Sequence, residues 1–221
     1  MQKKIKAVIF DLDGTLVDSM WIWDKVDTEY FHMKGLPIPP NLKDEINHLS
    51  FEQTAQYFKT TFNISDSIEE ILNTWYQMAY KHYSEDISLK KGALELLKFL
   101  KASNIKIALA TSNSNKLLTA ALNCVKAYDY FDVITTTNEV KNGKNCPDIY
   151  MLTSKKLDVL PEECLVFEDI LEAVNGAKLA NMKVFAIYDK YAEYQKEDLM
   201  ATADEYILDF NDIKIKKTLC K

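Results

Sequence analysis

Short, almost wholly apolar runs recur along most of the chain, with stretches of helical periodicity between them. Parallel strands covered on both faces have this pattern, because neither side of such a strand meets water. The runs lie at residues 7–10, 105–110, 133–134, 165–167 and 184–187. Helices are predicted between them at residues 92–102, 114–126, 147–157 and 170–179. The alternation predicts an α/β fold with a Rossmann-like, doubly wound parallel sheet.

One long segment breaks this alternation. Between residues 19 and 88 no convincing strand is found, and the pattern predicts four helices, at residues 20–34, 41–49, 51–61 and 67–83. Two capping boxes mark helix starts in this segment, Ser50 with Gln53 and Asp66 with Glu69. We therefore predict a core domain formed by residues 1–18 and 89–221, with an inserted α-helical domain at residues 19–88.

Composition and charge narrow the class of function. The 221 residues carry a formal net charge of −6 and no long basic run, which argues against nucleic acid or an anionic membrane as a partner. The sequence has 27 lysines and no arginine. Any side-chain cation that binds phosphate is therefore a point charge and not a bidentate guanidinium group.

The cysteines and the hydrophobic runs bear on location. The four cysteines, Cys124, Cys146, Cys164 and Cys220, are widely spaced and form no C-x-x-C motif. No secretory signal is visible, and no stretch approaches the ~20 apolar residues of a membrane span. We expect a reduced, cytoplasmic protein.

The first predicted strand ends in two carboxylates. Asp11 follows the apolar run directly, Asp13 lies two residues further on, and Gly14 permits a sharp turn. Both side chains can converge at the carboxyl end of a parallel strand, where α/β sheets bind ligands. Two such charges need a cation between them or a proton on one. The pattern favours a nucleophile beside a general acid, although an acidic turn that merely ends a strand has the same sequence.

Three further motifs lie between predicted strands and the helices that follow them. The Thr111–Asn113 turn offers a hydroxyl and backbone N–H groups that suit phosphate oxygens, although taken alone it also fits a plain helix cap. Lys144 precedes a helix, where an isolated lysine is usually a solvated charge. Glu168 and Asp169 end another apolar run. Two adjacent acids at a buried strand end need a cation or a helix N-terminus nearby.

Together these motifs resemble those of the haloacid dehalogenase-like (HAD) hydrolase superfamily. Phe10-Asp11-Leu12-Asp13-Gly14-Thr15 is followed in order by Thr111, Lys144 and Glu168-Asp169, and the resemblance extends from about residue 6 to residue 209. The helical segment resembles the α-helical cap of the β-phosphoglucomutase-like and phosphoglycolate phosphatase-like branch. The resemblance implies a Mg²⁺-dependent phosphatase that forms an aspartyl phosphate.

The resemblance also implies a role for each motif residue. Asp11 attacks phosphorus, and Asp13 protonates the leaving oxygen and later activates water. Lys144 offsets the charge of Asp11 and of the phosphate, an arrangement that suits phosphoryl transfer. The implied phosphate-binding residues are Thr111, Ser112, Asn113 and Lys144. The implied Mg²⁺ ligands are Asp11, the Asp13 carbonyl group, Asp169 and Glu168, the last directly or through water.

Two positions in the inserted helices bear on the phosphoryl acceptor. Trp23 stands where mutases of the branch have a histidine, and Phe51 where they have an arginine for a distal phosphate. With Trp21, these rings either form an apolar wall above the phosphate or pack only within the inserted domain. We expect a monomer that hydrolyses a small phosphorylated metabolite such as a sugar phosphate. A sugar phosphomutase and a catalytically silent HAD-like binding protein are the alternatives.

Overall fold

The computed structural model describes residues 4–46 and 51–219. The chain divides into two compact units. The first, residues 1–19 with 87–221, is called the core unit, and the second, residues 20–86, is called the helical unit. Within the described ranges, no helix is long and apolar enough to cross a membrane.

Eight strands and ten α-helices lie in the described residues. The strands are β1 (Ala7–Phe10), β2 (Val17–Asp18), β3 (Ser88–Leu89), β4 (Lys106–Thr111), β5 (Val133–Thr136), β6 (Cys164–Glu168), β7 (Lys183–Ile187) and β8 (Glu205–Ile207). The helices are α1 (Trp21–Met33), α2 (Leu42–Ile46), α3 (Phe51–Thr61), α4 (Ile68–Glu85), α5 (Ala93–Ala102), α6 (Asn115–Cys124), α7 (Asp148–Leu157), α8 (Leu171–Leu179), α9 (Lys196–Thr202) and α10 (Ile213–Leu219). Short 3₁₀ turns lie at Tyr128–Tyr130, Thr137–Glu139, Pro161–Glu163 and Lys190–Gln195.

Six of the strands form one parallel sheet in the order β5-β4-β1-β6-β7-β8, which confirms the predicted doubly wound α/β core. The central strand β1 is paired on both sides, with Phe10 opposite Leu109 of β4 and Phe167 of β6. The carboxyl ends of β1, β4 and β6 therefore meet at one edge of the sheet. This edge carries Asp11, Thr111 and Glu168.

The two faces of the sheet have different cores. On one face the rings of Phe10 and Phe167 stack at 5.2 Å between centroids, and Phe210 contacts both rings. On the other face Ile9 and Val166 belong to a buried cluster that includes residues of α7 and α8. Side chains alternate along a strand, so Glu168 lies on the same face as Val166. The acid at the end of β6 is thus directed toward the side on which α7 and α8 pack.

The helical unit is built around an aromatic core. Tyr30, Phe31, Phe58 and Trp75 are almost fully buried. Their rings meet at centroid distances of 5.6 Å for Tyr30 with Trp75, 5.0 Å for Phe31 with Phe58 and 4.9 Å for Phe58 with Trp75. Burial of large rings is the main source of stability for such a small helical unit. Four helices occupy the segment in which four were predicted.

One predicted helix start was wrong by a residue. The capping box of α4 is formed by Ser67 and Glu70: the Glu70 N–H donates to Ser67 Oγ at 3.2 Å, and the Ser67 N–H donates to Glu70 Oε2 at 2.7 Å. The Asp66 carboxylate instead accepts from Lys34, the residue that follows α1. The Asp66 side chain, which the local sequence predicts as the helix cap, thus forms a tertiary ion pair with Lys34. The other predicted box includes Ser50, which lies outside the described residues, as does the end of the helix predicted at residues 41–49.

The sequence pattern also missed three strands and two helices. The pair β2 and β3 is antiparallel, with Val17 opposite Leu89, and joins the two segments that flank the helical unit. The short edge strand β8 pairs with β7 and has only Ile207 fully buried. Strands of two or three residues give too few alternating positions to be detected by periodicity. The missed helices are α9 and α10, which follow β7 and β8.

Candidate active site

Three carboxylates meet at the carboxyl edge of the sheet. Oxygen atoms of Asp11, Glu168 and Asp169 lie within 4.8 Å of one another, and all three residues are buried. Asp11 directly follows β1, and its N–H donates to the Phe167 carbonyl group at 3.0 Å, which continues the pairing of β1 with β6. The register of these neighbouring strands therefore brings together acids that are 157 and 158 positions apart in the sequence.

Lys144 is the cation of this cluster. Its Nζ donates to Asp11 Oδ1 at 2.6 Å and also contacts Glu168 Oε1. Burial lowers the pKa of Lys144, but the charges of Asp11 and Glu168 and their hydrogen bonds outweigh burial, so the pKa is raised overall. The lysine stays charged at neutral pH. It is a buried partner of the acids and not the solvated loop charge that its sequence position alone would suggest.

The acid cluster is not neutralised by Lys144 alone. Burial raises the pKa of Glu168 to about 8, Lys144 counteracts this and Asp11 adds to it. Burial, with the charges of Asp11 and Glu168, also raises the pKa of Asp169 well above its usual value. Glu168 Oε2 is buried and has no hydrogen-bond partner in the part of the chain that the structure describes. Buried oxygen ligands with excess negative charge and an unpartnered oxygen fit a divalent cation such as Mg²⁺.

Asp13 has hydrogen-bond partners of its own. Ser19 Oγ donates to Asp13 Oδ1 at 2.6 Å, and Asn113 Nδ2 donates to Asp13 Oδ2 at 2.8 Å. Gly14 next to it has φ +77°, a left-handed conformation that favours glycine. The two aspartates thus have different partners: Asp11 contacts Lys144, and Asp13 accepts from the neutral donors Ser19 and Asn113.

The predicted phosphate-binding turn begins at Thr111, the last residue of β4. Thr111 is almost fully buried, and its Oγ1 accepts from the Asn113 N–H at 3.0 Å. Ser112 is exposed. The cap of α6 is Ser114, whose side chain accepts from the Leu117 N–H. Residues 111–113 are therefore not needed as the side-chain cap of the helix, and Asn113 links this turn to Asp13.

Four residues that support the site were not identified from the sequence. Thr15 Oγ1 donates to Asp169 Oδ1 at 2.9 Å, and the Tyr150 hydroxyl lies 2.7 Å from Glu168 Oε1. Ser19 binds Asp13, as described above. Gly176 lies in the middle of α8, where a glycine is unfavourable for a helix and so often indicates close packing. Of these four residues, only Gly176 gave a sign in the sequence of its role, as a glycine in the middle of a predicted helix.

The close packing at Gly176 involves the loop that carries Lys144. A Cβ atom at Gly176 would lie 1.9 Å from the Lys144 carbonyl oxygen and 2.9 Å from that of Cys146. Any larger residue would have to displace backbone at this point. Helix α8, which follows Glu168 and Asp169, therefore also determines how closely the loop that carries Lys144 approaches it.

The aromatic candidates lie in the helical unit and contact other residues of that unit. The rings of Trp23 and Phe51 are 5.4 Å apart, and Phe51 also lies 5.4 Å from Trp75. The Trp21 ring packs edge-on against His82 at 5.5 Å. Phe51 remains 42% exposed. These contacts account for packing within the unit, and binding of substrate by Trp23 and Phe51 stays a prediction.

The comparison with protein families agrees with this geometry. The family model of haloacid dehalogenase-like hydrolases matches residues 8–187, which include all of the carboxylates and the lysine described above. The chain belongs to this family. The expectation of a HAD-like phosphoric monoester hydrolase is confirmed, whereas the individual residue roles stay predictions.

Several similar proteins have names that refer to phosphorylated compounds. The phosphorylated carbohydrates phosphatase of Thermotoga maritima is 32% identical over 179 residues, 81% of this chain and 83% of that protein. A probable pseudouridine-5'-phosphatase of Saccharomyces cerevisiae is 31% identical over 190 residues, 79% and 78% of the two chains. A crystal structure provisionally named β-phosphoglucomutase, also from Thermotoga maritima, is similar with a TM-score of 0.85 at 29% identity, covering 96% and 99%.

Proposed function

We propose that this protein is a Mg²⁺-dependent phosphatase that hydrolyses a small phosphorylated metabolite through an aspartyl phosphate on Asp11. A sugar phosphate is the substrate class favoured by the phosphatase relative that is named for phosphorylated carbohydrates. The observation that carries the proposal is the buried contact of Asp11 with Lys144, beside Glu168 and Asp169. Neutralising charge around an anionic nucleophile is what phosphoryl transfer requires of a protein.

The cation would be held by Asp11, Asp169, the Asp13 carbonyl group and Glu168. When bound, it would neutralise charge on the phosphoryl oxygens and on the three carboxylates. The chemistry of the donor set supports this assignment, since all of these ligands are hard oxygen atoms. Thr15 fixes one oxygen of Asp169 through its hydrogen bond of 2.9 Å.

In the first chemical step a carboxylate oxygen of Asp11 attacks phosphorus, and the bond between phosphorus and the ester oxygen breaks. Asp13, protonated at this stage, transfers its proton to the leaving oxygen and releases the alcohol. In the second step Asp13 accepts a proton from water as the water oxygen attacks the phosphorus. Inorganic phosphate leaves, and the Asp11 carboxylate is regenerated. Ser19 and Asn113 orient Asp13 for both proton transfers.

Lys144 and the turn after β4 act on the phosphoryl group. Lys144 lowers the electrostatic barrier between the Asp11 carboxylate and an anionic phosphate. Thr111, Ser112 and Asn113 offer hydroxyl and N–H donors for the phosphoryl oxygens. The chain has no arginine, so any side-chain cation of this subsite is a lysine, and we assign it to Lys144.

A sugar phosphomutase is the second candidate, because the similar Thermotoga maritima structure carries that provisional name. Trp23 and Phe51 argue against it, since neither can replace the histidine or the arginine expected in mutases of the branch. At these two positions the helical unit offers neither the histidine that would contact a sugar hydroxyl nor a cationic anchor for a second phosphate. Water needs neither group and should be the acceptor.

Product analysis separates the two candidates. With β-glucose 1-phosphate, a trace of the 1,6-bisphosphate and Mg²⁺, we expect free phosphate and little glucose 6-phosphate. A screen of phosphorylated metabolites and an aryl phosphate would identify the preferred substrate by phosphate release. Rapid formation of glucose 6-phosphate with little free phosphate would establish the mutase instead. If the protein releases phosphate from none of these compounds, with or without Mg²⁺, the result would favour the silent binding protein.

Metal removal gives a separate test. EDTA should abolish phosphate release, and excess Mg²⁺ should restore it. Ca²⁺ should inhibit, because its larger and looser ligand shell disturbs in-line geometry. In the matched variant Asp169→Asn, restoration by Mg²⁺ should need far higher concentrations. Full activity in the presence of chelator would contradict the assignment of the acid cluster as a metal site.

Location and assembly belong to the same proposal. The described cysteines Cys124, Cys146 and Cys164 are free. We therefore propose a reducing, cytoplasmic environment, in which free thiols are stable. We also propose a monomer that binds neither nucleic acid nor membrane, as the net charge of −6 favours.

A further inference from the structure

Tyr150 is a fully buried residue of α7 whose hydroxyl reaches the acid cluster. Its oxygen lies 2.7 Å from Glu168 Oε1 and 3.0 Å from the Ala173 carbonyl oxygen of α8. A phenol has only one proton to donate. The shorter contact is to the carboxylate, which is also the stronger acceptor.

The two carboxylate oxygens of Glu168 differ in their hydrogen-bond partners. Oε1 accepts from the Tyr150 hydroxyl and is also contacted by Lys144 Nζ. Oε2 is buried and has no partner among the described residues. Two donors on one oxygen fix the orientation of the carboxylate and leave the other oxygen free for a ligand. Lys144 also contacts Asp11, whereas Glu168 is the only carboxylate that the Tyr150 hydroxyl contacts among the described residues.

The aromatic ring alone does not explain this contact. A phenylalanine would fill nearly the same space in the cluster of buried residues that surrounds Tyr150. The hydroxyl is an added polar group, and burying one is unfavourable unless it forms hydrogen bonds. The hydroxyl contacts Oε1 of Glu168 and not Oε2. A phenylalanine ring could pack in the same place, but it could not hold the carboxylate in this orientation.

We propose that Tyr150 is a positioning residue of the metal site, which holds Glu168 by Oε1 so that Oε2 is presented to the cation. This inference rests on the proposed Mg²⁺ site. The Tyr150 hydroxyl contacts Glu168 and the Ala173 carbonyl group, so its role in the site is exerted through Glu168. Hydrogen bonds to metal ligands commonly orient them and alter metal affinity by 10–100-fold.

The test is Tyr150→Phe, with Mg²⁺ binding measured by calorimetry in the absence of substrate. We expect Mg²⁺ to bind about 10-fold or more weakly, at the lower end of the range for such contacts. The Mg²⁺ concentration for half-maximal activity should rise by the same factor. At saturating Mg²⁺, KM for the phosphorylated substrate should stay close to that of the unaltered protein, because the phosphate-binding groups are unchanged.

Tyr30→Phe is the matched control. Tyr30 is also fully buried, and its hydroxyl also lies near a carboxylate, that of Asp66 at 3.4 Å in the helical unit. Tyr30→Phe should leave Mg²⁺ binding unchanged even if it lowers the melting temperature. Comparing the two variants separates a loss of stability from a loss of metal affinity.

The experiment distinguishes failure of the Tyr150 proposal from failure of the proposed Mg²⁺ site. If the unaltered protein binds Mg²⁺ and Tyr150→Phe binds it equally well, the positioning role is wrong and the metal site stands. The role is also wrong if Tyr150→Phe only lowers stability or fails to fold without metal. If the unaltered protein does not bind Mg²⁺, the proposed metal site and this inference are both overturned.

Discussion

Asp11→Asn is expected to lower turnover on the order of 10³-fold or more, with the protein still folded. The amide has nearly the shape of the carboxylate but lacks the negative charge and nucleophilicity that attack on phosphorus requires. The fold should survive for an electrostatic reason. Asp11 is one of three buried acids that face one lysine, and its charge contributes to the raised pKa values of Glu168 and Asp169. Neutralising it removes repulsion as well as an ion pair.

The measurement is kcat for phosphate release at saturating Mg²⁺, with circular dichroism and thermal unfolding to establish folding. Asp129→Asn is a suitable control, since Asp129 is an exposed aspartate of the core unit. The control should keep normal turnover. Mass spectrometry of a rapidly quenched reaction should detect a phosphorylated chain in the unaltered protein and not in Asp11→Asn. Near-normal turnover in a folded Asp11→Asn protein would refute the mechanism.

Lys144→Met should damage substrate binding, turnover and stability together. The lysine is buried with its Nζ 2.6 Å from Asp11 and also in contact with Glu168. Its removal leaves buried acids without their cation, and breaking such a pair from one side typically costs about 3–5 kcal/mol in the free energy of unfolding. The same loss restores the charge barrier between Asp11 and an incoming phosphate. KM should therefore rise while kcat falls.

Lys101→Met is the matched control for Lys144→Met. Lys101 also forms an ion pair, with Asp132 at 2.7 Å, but the two side chains are 36% and 40% exposed. Exposed pairs of this kind contribute about 0–1 kcal/mol. Urea unfolding and steady-state kinetics should thus separate the two variants clearly. Mg²⁺ should recover part of the stability lost in Lys144→Met, since it supplies positive charge to the same acids. If both variants behaved alike, the lysine would have no role in catalysis.

The sequence by itself determined the class of fold and the acids of the site. Short, wholly apolar runs that alternate with helical stretches indicate strands buried on both faces, and acids placed directly after such runs are expected at the carboxyl edge of the sheet. Asp11 and the pair Glu168 and Asp169 were therefore predictable from local pattern. Lys144 was predictable only through the order of motifs that resembles the HAD superfamily. As an isolated loop lysine it carries no signal of burial.

Only the tertiary structure decided which groups surround those acids. The central place of β1 between β4 and β6 sets Asp11 beside Glu168, and it arises from pairing between segments far apart in the chain. Tyr150 and Gly176 affect the site across the contacts of α7 and α8 with their neighbours. Likewise, Lys34 engages Asp66, and Ser67 caps the helix instead. Hydrophobic periodicity reports which side of an element is buried, whereas distances between elements follow from packing that no single segment encodes.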